Sequence, residues 1–266
     1  MPSGMSDAEE AGRPPISPNA ILLLAAWIAA AVGLVLAPSA FVGRLLTFAF
    51  VILGWILAVM AHEFGHAFIA YKAGDHTIRA KGYLTLDPLK YVDVGVSIVI
   101  PILAVVLGGI GFPGGAVYLR EDLMRSRIWR SLASLAGPLG TLMVLVALTA
   151  IAWGLAFSPL STPGTVMLVE GLAFLAFLQA TALVLNLLPV PGLDGYGVIR
   201  PFLGEGVRRA LRPVEGLAMI GLFLAIFFIP GAARVIFAPA LAITDIVGLP
   251  REAIQSGWDA FRFWSS

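Results

Sequence analysis

The run VILGWILAVMAHEFGHAFIAYK, residues 51–72, leaves few folds open. Between Leu45 and Tyr71 its only ionisable residues are His62, Glu63 and His66. An apolar stretch of about 20 residues reads as a membrane-spanning helix. A charge inside hydrocarbon costs on the order of 3 kcal/mol or more, so ionisable residues there carry a functional expectation. The spacing is H-E-x-x-H. Residues four apart share one face of a helix, so both imidazoles reach a single metal ion. Glu63, next to the first of them, is placed to hold a water and accept its proton. The plainer alternative is a pair of hydrogen-bonded histidines inside a helix bundle, with Glu63 as their partner. Two of the chain's three histidines fall within this one pattern.

Composition agrees with the membrane reading. The 266 residues are 59% hydrophobic and 12% charged, with a mean hydropathy of +0.93. Soluble domains carry about 25% charged residues. Cysteine is absent, which removes disulfides and thiolate chemistry and leaves a metal to His and carboxylate ligands. No basic run points to nucleic acid, and three histidines cannot furnish a di-iron site.

In chain order, residues 1–18 are polar and rich in Pro and Gly, and read as a disordered tail. Apolar segments follow at 19–37, about 46–71, about 131–157 and about 165–188, the last carrying Glu170, Gln179 and Asn186. TIRAKGYLTL, within the polar stretch 72–92, alternates like a short strand pair. The apolar segment 93–119 is broken by Pro101, Gly108, Gly109, Gly111, Pro113, Gly114 and Gly115. Residues 214–249, interrupted by Pro230, Gly231 and Arg234, read as one span plus an interfacial helix or as two short spans. The tail 250–266 reads as an amphipathic helix placing Trp258, Phe261, Phe263 and Trp264 at a membrane surface. The expected fold is an all-α polytopic membrane protein of about six transmembrane helices. A small membrane-embedded β or re-entrant segment is expected between the second and third spans.

A catalytic zinc site takes three protein ligands. His76 lies in a polar loop and reads as solvated, and Glu170 begins its span on the other side of the membrane. Asp194 sits where Pro189, Pro191 and Gly192 force irregular backbone, which survives at membrane depth only if buried in protein or lining a cavity. If 93–111 enters and leaves on one face, Asp194 and His66 share a depth. That choice also gathers twelve Lys/Arg between Lys72 and Arg212 on one side, against Arg44 and Arg234 on the other. By the positive-inside rule that side, and the N-terminus, is cytoplasmic.

Three motifs together resemble the site-2 protease family of intramembrane zinc metalloproteases: AHEFGHA (61–67), SLAGPLG (134–140) and NLLPVPGLDG (186–195). KGYLTLDPLKYVD (81–93) also resembles segments of compact members, and no PDZ or CBS module is visible. Gly140-Thr141 stands where members often carry Asn, and Pro191-Gly192 where a doubled proline is usual. The resemblance implies one Zn2+ on His62, His66 and Asp194, Glu63 as the catalytic base, and Asn186 as a substrate-binding or oxyanion residue. It makes 19–249 the metalloprotease domain, with its core at 45–203. The expected reaction is hydrolysis of a peptide bond in or beside a transmembrane segment of a membrane-protein substrate. The enzyme would be multi-pass in the cell membrane, in contact with lipid, its site opening to the cytoplasm about 9 Å from the helix end.

GGAVYL (114–119) is placed to hold an unwound substrate as an edge strand, and otherwise reads as a loop-to-strand segment. Asn186 otherwise reads as a helix-packing hydrogen bond, and Asp194 as a turn cap. SLAGPLG reads as a small-residue helix contact rather than a catalytic element. Two competing classes are a catalytically silent zinc-binding membrane protein, which an intact Glu63 argues against, and an ion carrier using Glu63, Glu170 and Asp194. The chain has no inverted repeat to support a carrier.

Overall fold

A computed structural model describes residues 16–37, 39–91, 117–159 and 162–264. The re-entrant expectation for 93–111, the glycines Gly114 and Gly115, and most of the tail 1–18 lie outside the described residues.

Four helices are long and apolar enough to cross a membrane: α1 (Pro18–Val35), α2 (Ala40–Ala73), α4 (Arg127–Ala156) and α5 (Pro163–Asn186). The protein is an all-α membrane protein, and no strand forms among the described residues. Side chains seat the helix ends. Ser17, Ser39, Ser126 and Thr162 cap the N-termini of α1, α2, α4 and α5, and Thr162 and Thr165 form a reciprocal box. Gly74, at φ 119°, ends α2 in the left-handed conformation a glycine adopts without strain.

Helix α5 is the centre of the molecule. From Gly171 to Leu183 every residue is buried, so this helix is apolar on all sides and wrapped by protein. Around it pack α1, α2, α4 and the C-terminal helices. The outer faces of α1 and α4 instead expose Ile21, Leu22, Met143 and Val146, each at 53% or more, an apolar surface suited to lipid.

The chain runs up and down. Ser17 N–H donates to Thr85 O, and Asn19 Nδ2 donates to Asp87 Oδ1 at 3.1 Å, joining the start of α1 to the loop after α2. Arg125 N–H donates to Ala73 O, joining the start of α4 to the end of α2. Arg200, past the end of α5, pairs with Glu121 at 3.0 Å. These segments therefore share one end of the bundle, the arrangement that brings His66 and Asp194 to one depth.

The region expected as a strand pair folds otherwise. Thr77–Ala80 is one helical turn (α3), followed by turns to Leu86. Asp75 Oδ1 accepts from Thr77 N–H and Oγ1–H, starting the turn, and Gly82, at φ 77°, ends it. Side-chain bonding to nearby backbone overrides the alternation.

Beyond α5 come α6 (Asp194–Ile199), α7 (Glu205–Leu211), α8 (Glu215–Phe228), α9 (Arg234–Ile246) and α10 (Arg251–Phe261). At 14 and 13 residues, α8 and α9 are each shorter than the about 20 that a crossing takes. Helix α8 starts beside Tyr196, which donates to Glu215, and α9 ends beside Trp153, whose Nε1–H donates to Val247 O. The pair thus leads from the site end to the far end, broken at Pro230–Gly231. The tail helix α10 is amphipathic as expected, but its apolar face meets protein. Ile254, Gly257 and Phe261 are buried, and Phe261 packs between Phe48 and Phe174.

Candidate metal centre

Two helices crossing closely build the site's floor. Helix α2 presents His62 and His66 at four-residue spacing, and α4 presents Ala133, Gly137 and Thr141 at the same spacing in the opposite direction. Small residues allow the approach. A Cβ on Gly65 would strike the Ala136 carbonyl, and one on Gly140 would lie 2.8 Å from Ala61 O. Gly137 is placed still more tightly: a Cβ there would collide with the His66 ring and lie 2.7 Å from His62 Nε2. The A-G-P segment is a small-residue helix contact, as read from sequence, and it is also the back wall of the imidazoles. Helix α4 continues through Pro138 without ending.

Each imidazole is oriented by its far nitrogen. His66 Nδ1 donates to Ala133 O at 2.7 Å, so its Nε2 carries the lone pair when the ring is neutral. His62 Nδ1 lies 2.9 Å from Thr141 Oγ1, and Thr141 is 2% exposed. With that Nδ1–H donated to Thr141, the second Nε2 is free as well.

Asp194 arrives from the opposite side. After Asn186 the chain folds back, with Gly192 at φ 95°. Gly195 lies against the Leu187 and Leu188 carbonyls, where a Cβ would clash. This is why the aspartate is followed by glycine. Asp194, the first residue of α6 rather than part of an irregular loop, sets Oδ2 at 3.2 Å from His62 Nε2 and Oδ1 at 3.2 Å from His66 Nε2. The two Nε2 atoms are 3.1 Å apart.

These residues fit a metal. A tetrahedral ion with bonds near 2.0–2.1 Å keeps its ligand atoms roughly 3.3 Å apart. Two neutral imidazole lone pairs facing a carboxylate repel one another unless a cation lies between them. Asp194 Oδ2 is buried and accepts no hydrogen bond, which leaves a lone pair for an ion. Among the described residues His62, His66 and Asp194 are the His/Asp/Glu group close enough to share one.

The remaining expected residues are placed as follows. Glu63 is 4% exposed, and the Val117 backbone lies beside its carboxylate. Asn186, 4% exposed, ends α5 and lines a small cavity together with His62 and Glu63. His76 is exposed, its ring edge-on to Tyr71, and Glu170 lies beside Ser256 at the far end of the bundle, so neither joins the site. Sequence reading missed Thr141 and the Ala133 carbonyl. It also missed Asp75, fully buried, whose Oδ2 accepts from Arg120 N–H at 2.8 Å and ties the segment after Val117 to the end of α2. The four-residue spacing of Ala133, Gly137 and Thr141 was the available signal.

The donor set matches what relatives are named for. The chain is 42% identical to "Putative zinc metalloprotease Rip2" of Mycolicibacterium smegmatis over 244 residues, 91% of this chain and 88% of the relative. The Mycobacterium tuberculosis protein of the same name is 42% identical over 240 residues, 90% of this chain and 88% of its own length. "Putative zinc metalloprotease YwhC" of Bacillus subtilis is 28% identical over 193 residues, 71% of this chain and 84% of the relative. No family model and no solved structure matches the chain. With near-full-length relatives at this identity and a two-histidine, one-carboxylate cluster inside a membrane bundle, the chain belongs to the site-2 protease family of zinc metalloproteases.

Proposed function

We propose that this protein is an intramembrane zinc metalloprotease that hydrolyses a peptide bond in or beside a transmembrane segment of a membrane-protein substrate. The observation that carries this is Glu63, buried one residue from the His62–His66–Asp194 cluster inside an apolar helix. A purely structural zinc site needs no base.

His62 and His66 would hold the ion through Nε2 and Asp194 through its carboxylate. Zinc held there lowers the pKa of a water and polarises the scissile carbonyl. Glu63 takes the proton of the attacking water and returns it to the departing nitrogen. The neighbouring Val117 backbone N–H is placed to steady the carboxylate for that transfer. Asn186, on the wall of the same cavity, donates its amide to the carbonyl oxygen as charge develops there.

A helical substrate hides its carbonyls in its own hydrogen bonds and has to unwind first. Residues 114–119, with Gly114 and Gly115 at their start, take the unwound peptide as an edge strand. The nearness of Val117 to Glu63 supports that placement. The Lys/Arg-rich end of the bundle, which holds the site, faces the cytoplasm of a cell-membrane protein.

The test is cleavage of a single-span model substrate by purified protein in lipid vesicles, with products located by mass spectrometry. The expected cut lies in or next to the span, stops with a zinc chelator, and returns with added zinc. Fragments cut only in loops remote from the membrane, or cleavage indifferent to chelation, would contradict the reading.

A further inference from the structure

One polar side chain at the site has no part in the reaction above. Gln179 lies two turns before Asn186 on the same face of α5. It is 2% exposed, and its Nε2 is buried without a hydrogen-bond partner. An amide donor stranded inside a membrane bundle is costly and calls for a partner.

Gln179 lines the cavity that it shares with His62, Glu63, Thr141 and Asn186, whose remaining lining is Trp55, Ala58, Val59 and Ala182. The cavity volume is about 20 Å³. A water needs roughly 10–15 Å³ and two to four polar partners, so there is room for one and polar groups to hold it. Neither His66 nor Asp194 lines this space, so it lies apart from the ligand carboxylate, on the side of His62 and Glu63 that faces α5.

We propose that one ordered water fills this cavity, accepting a hydrogen bond from Gln179 Nε2 and donating one to the Glu63 carboxylate. Gln179 is then a positioning residue. It fixes the base through a water on the side that faces α5. The proposal rests on Glu63 acting as the base.

Two measurements test it. In an experimental map of the full-length protein in lipid, water density is expected within hydrogen-bonding distance of Gln179 Nε2. A dry cavity there overturns the proposal whatever the variants do. In cleavage assays, Gln179→Leu removes the donor and fills the space. It is expected to lower kcat about tenfold, the scale of one hydrogen bond, with KM and zinc content unchanged. Gln179→Asn, which keeps an amide and leaves room for water, is expected to recover most of the loss. If Gln179→Leu cleaves like wild type while Glu63→Gln is inactive, the water's role is wrong and the protease reading survives. If Glu63→Gln cleaves as well as wild type, the protease reading itself fails. If the leucine variant does not fold, the map alone decides.

Discussion

His62 and His66 are held by partners of different kinds, and the difference has consequences. His66 leans on the Ala133 carbonyl, which no side-chain change removes. His62 leans on the Thr141 hydroxyl, which a single substitution deletes. Groups that orient a metal-binding imidazole are worth about 10–100-fold in metal affinity. Thr141→Val, nearly the same shape, is therefore expected to weaken zinc binding by about that factor, read by competition with a chelator. Thr141→Ser should bind almost as wild type. Equal affinity in the valine variant would show that the hydroxyl does not orient His62. Of the four central residues, His62, Glu63 and His66 are legible from spacing alone, because a helix turns local sequence directly into a shared face. Asp194 lies 128 positions after His66 and is reached only by asking which loops share a side of the membrane. Thr141 is marked only by its four-residue spacing from Gly137, since a hydroxyl in an apolar span has many uses and its partner is 79 positions away.

At the scale of elements, the crossing of α2 and α4 sets the site. The stripe Ala133–Gly137–Thr141 runs antiparallel to His66–His62, so each imidazole meets its own position on α4. Gly137→Ala places a methyl group where the rings lie. The expected outcome is loss of most bound zinc and of cleavage, with a stability cost of about 1–3 kcal/mol for the overpacked contact. A glycine-to-alanine variant with full zinc occupancy would show that the two helices separate readily.

Helix α10 matters to stability in a different way. Phe261, fully buried between α2 and α5, closes the end of the bundle away from the metal. Truncating it to alanine is expected to cost about 3–5 kcal/mol, seen as a lower thermal midpoint with zinc stoichiometry retained. An unchanged midpoint would mean the tail docks only weakly. The long spans were legible because 20 apolar residues have one stable solution in lipid. The tail's destination was not, because an amphipathic pattern says that an apolar face is covered without saying by what. The alternation in TIRAKGYLTL misled for a related reason: Asp75 and Gly82 decide that segment locally.

For the whole molecule, the architecture explains how hydrolysis is confined to one place in an apolar body. The start of α1, the end of α2, the start of α4 and the fold-back after α5 meet at one end. The site is assembled just below that junction, roughly 10 Å from the end of α2 at 1.5 Å per residue. The buried stretch Gly171–Leu183 of α5 lies on the side of the site toward the far end.

The central claim is that His62, His66 and Asp194 hold one zinc beside a separate base, Glu63. The most direct measurement is zinc content per purified chain, taken with cleavage, for wild type, Glu63→Gln and Asp194→Ala. About one zinc with no cleavage in Glu63→Gln, and neither zinc nor cleavage in Asp194→Ala, is the predicted result. Full zinc occupancy in Asp194→Ala, or cleavage by Glu63→Gln at the wild-type rate, would contradict it.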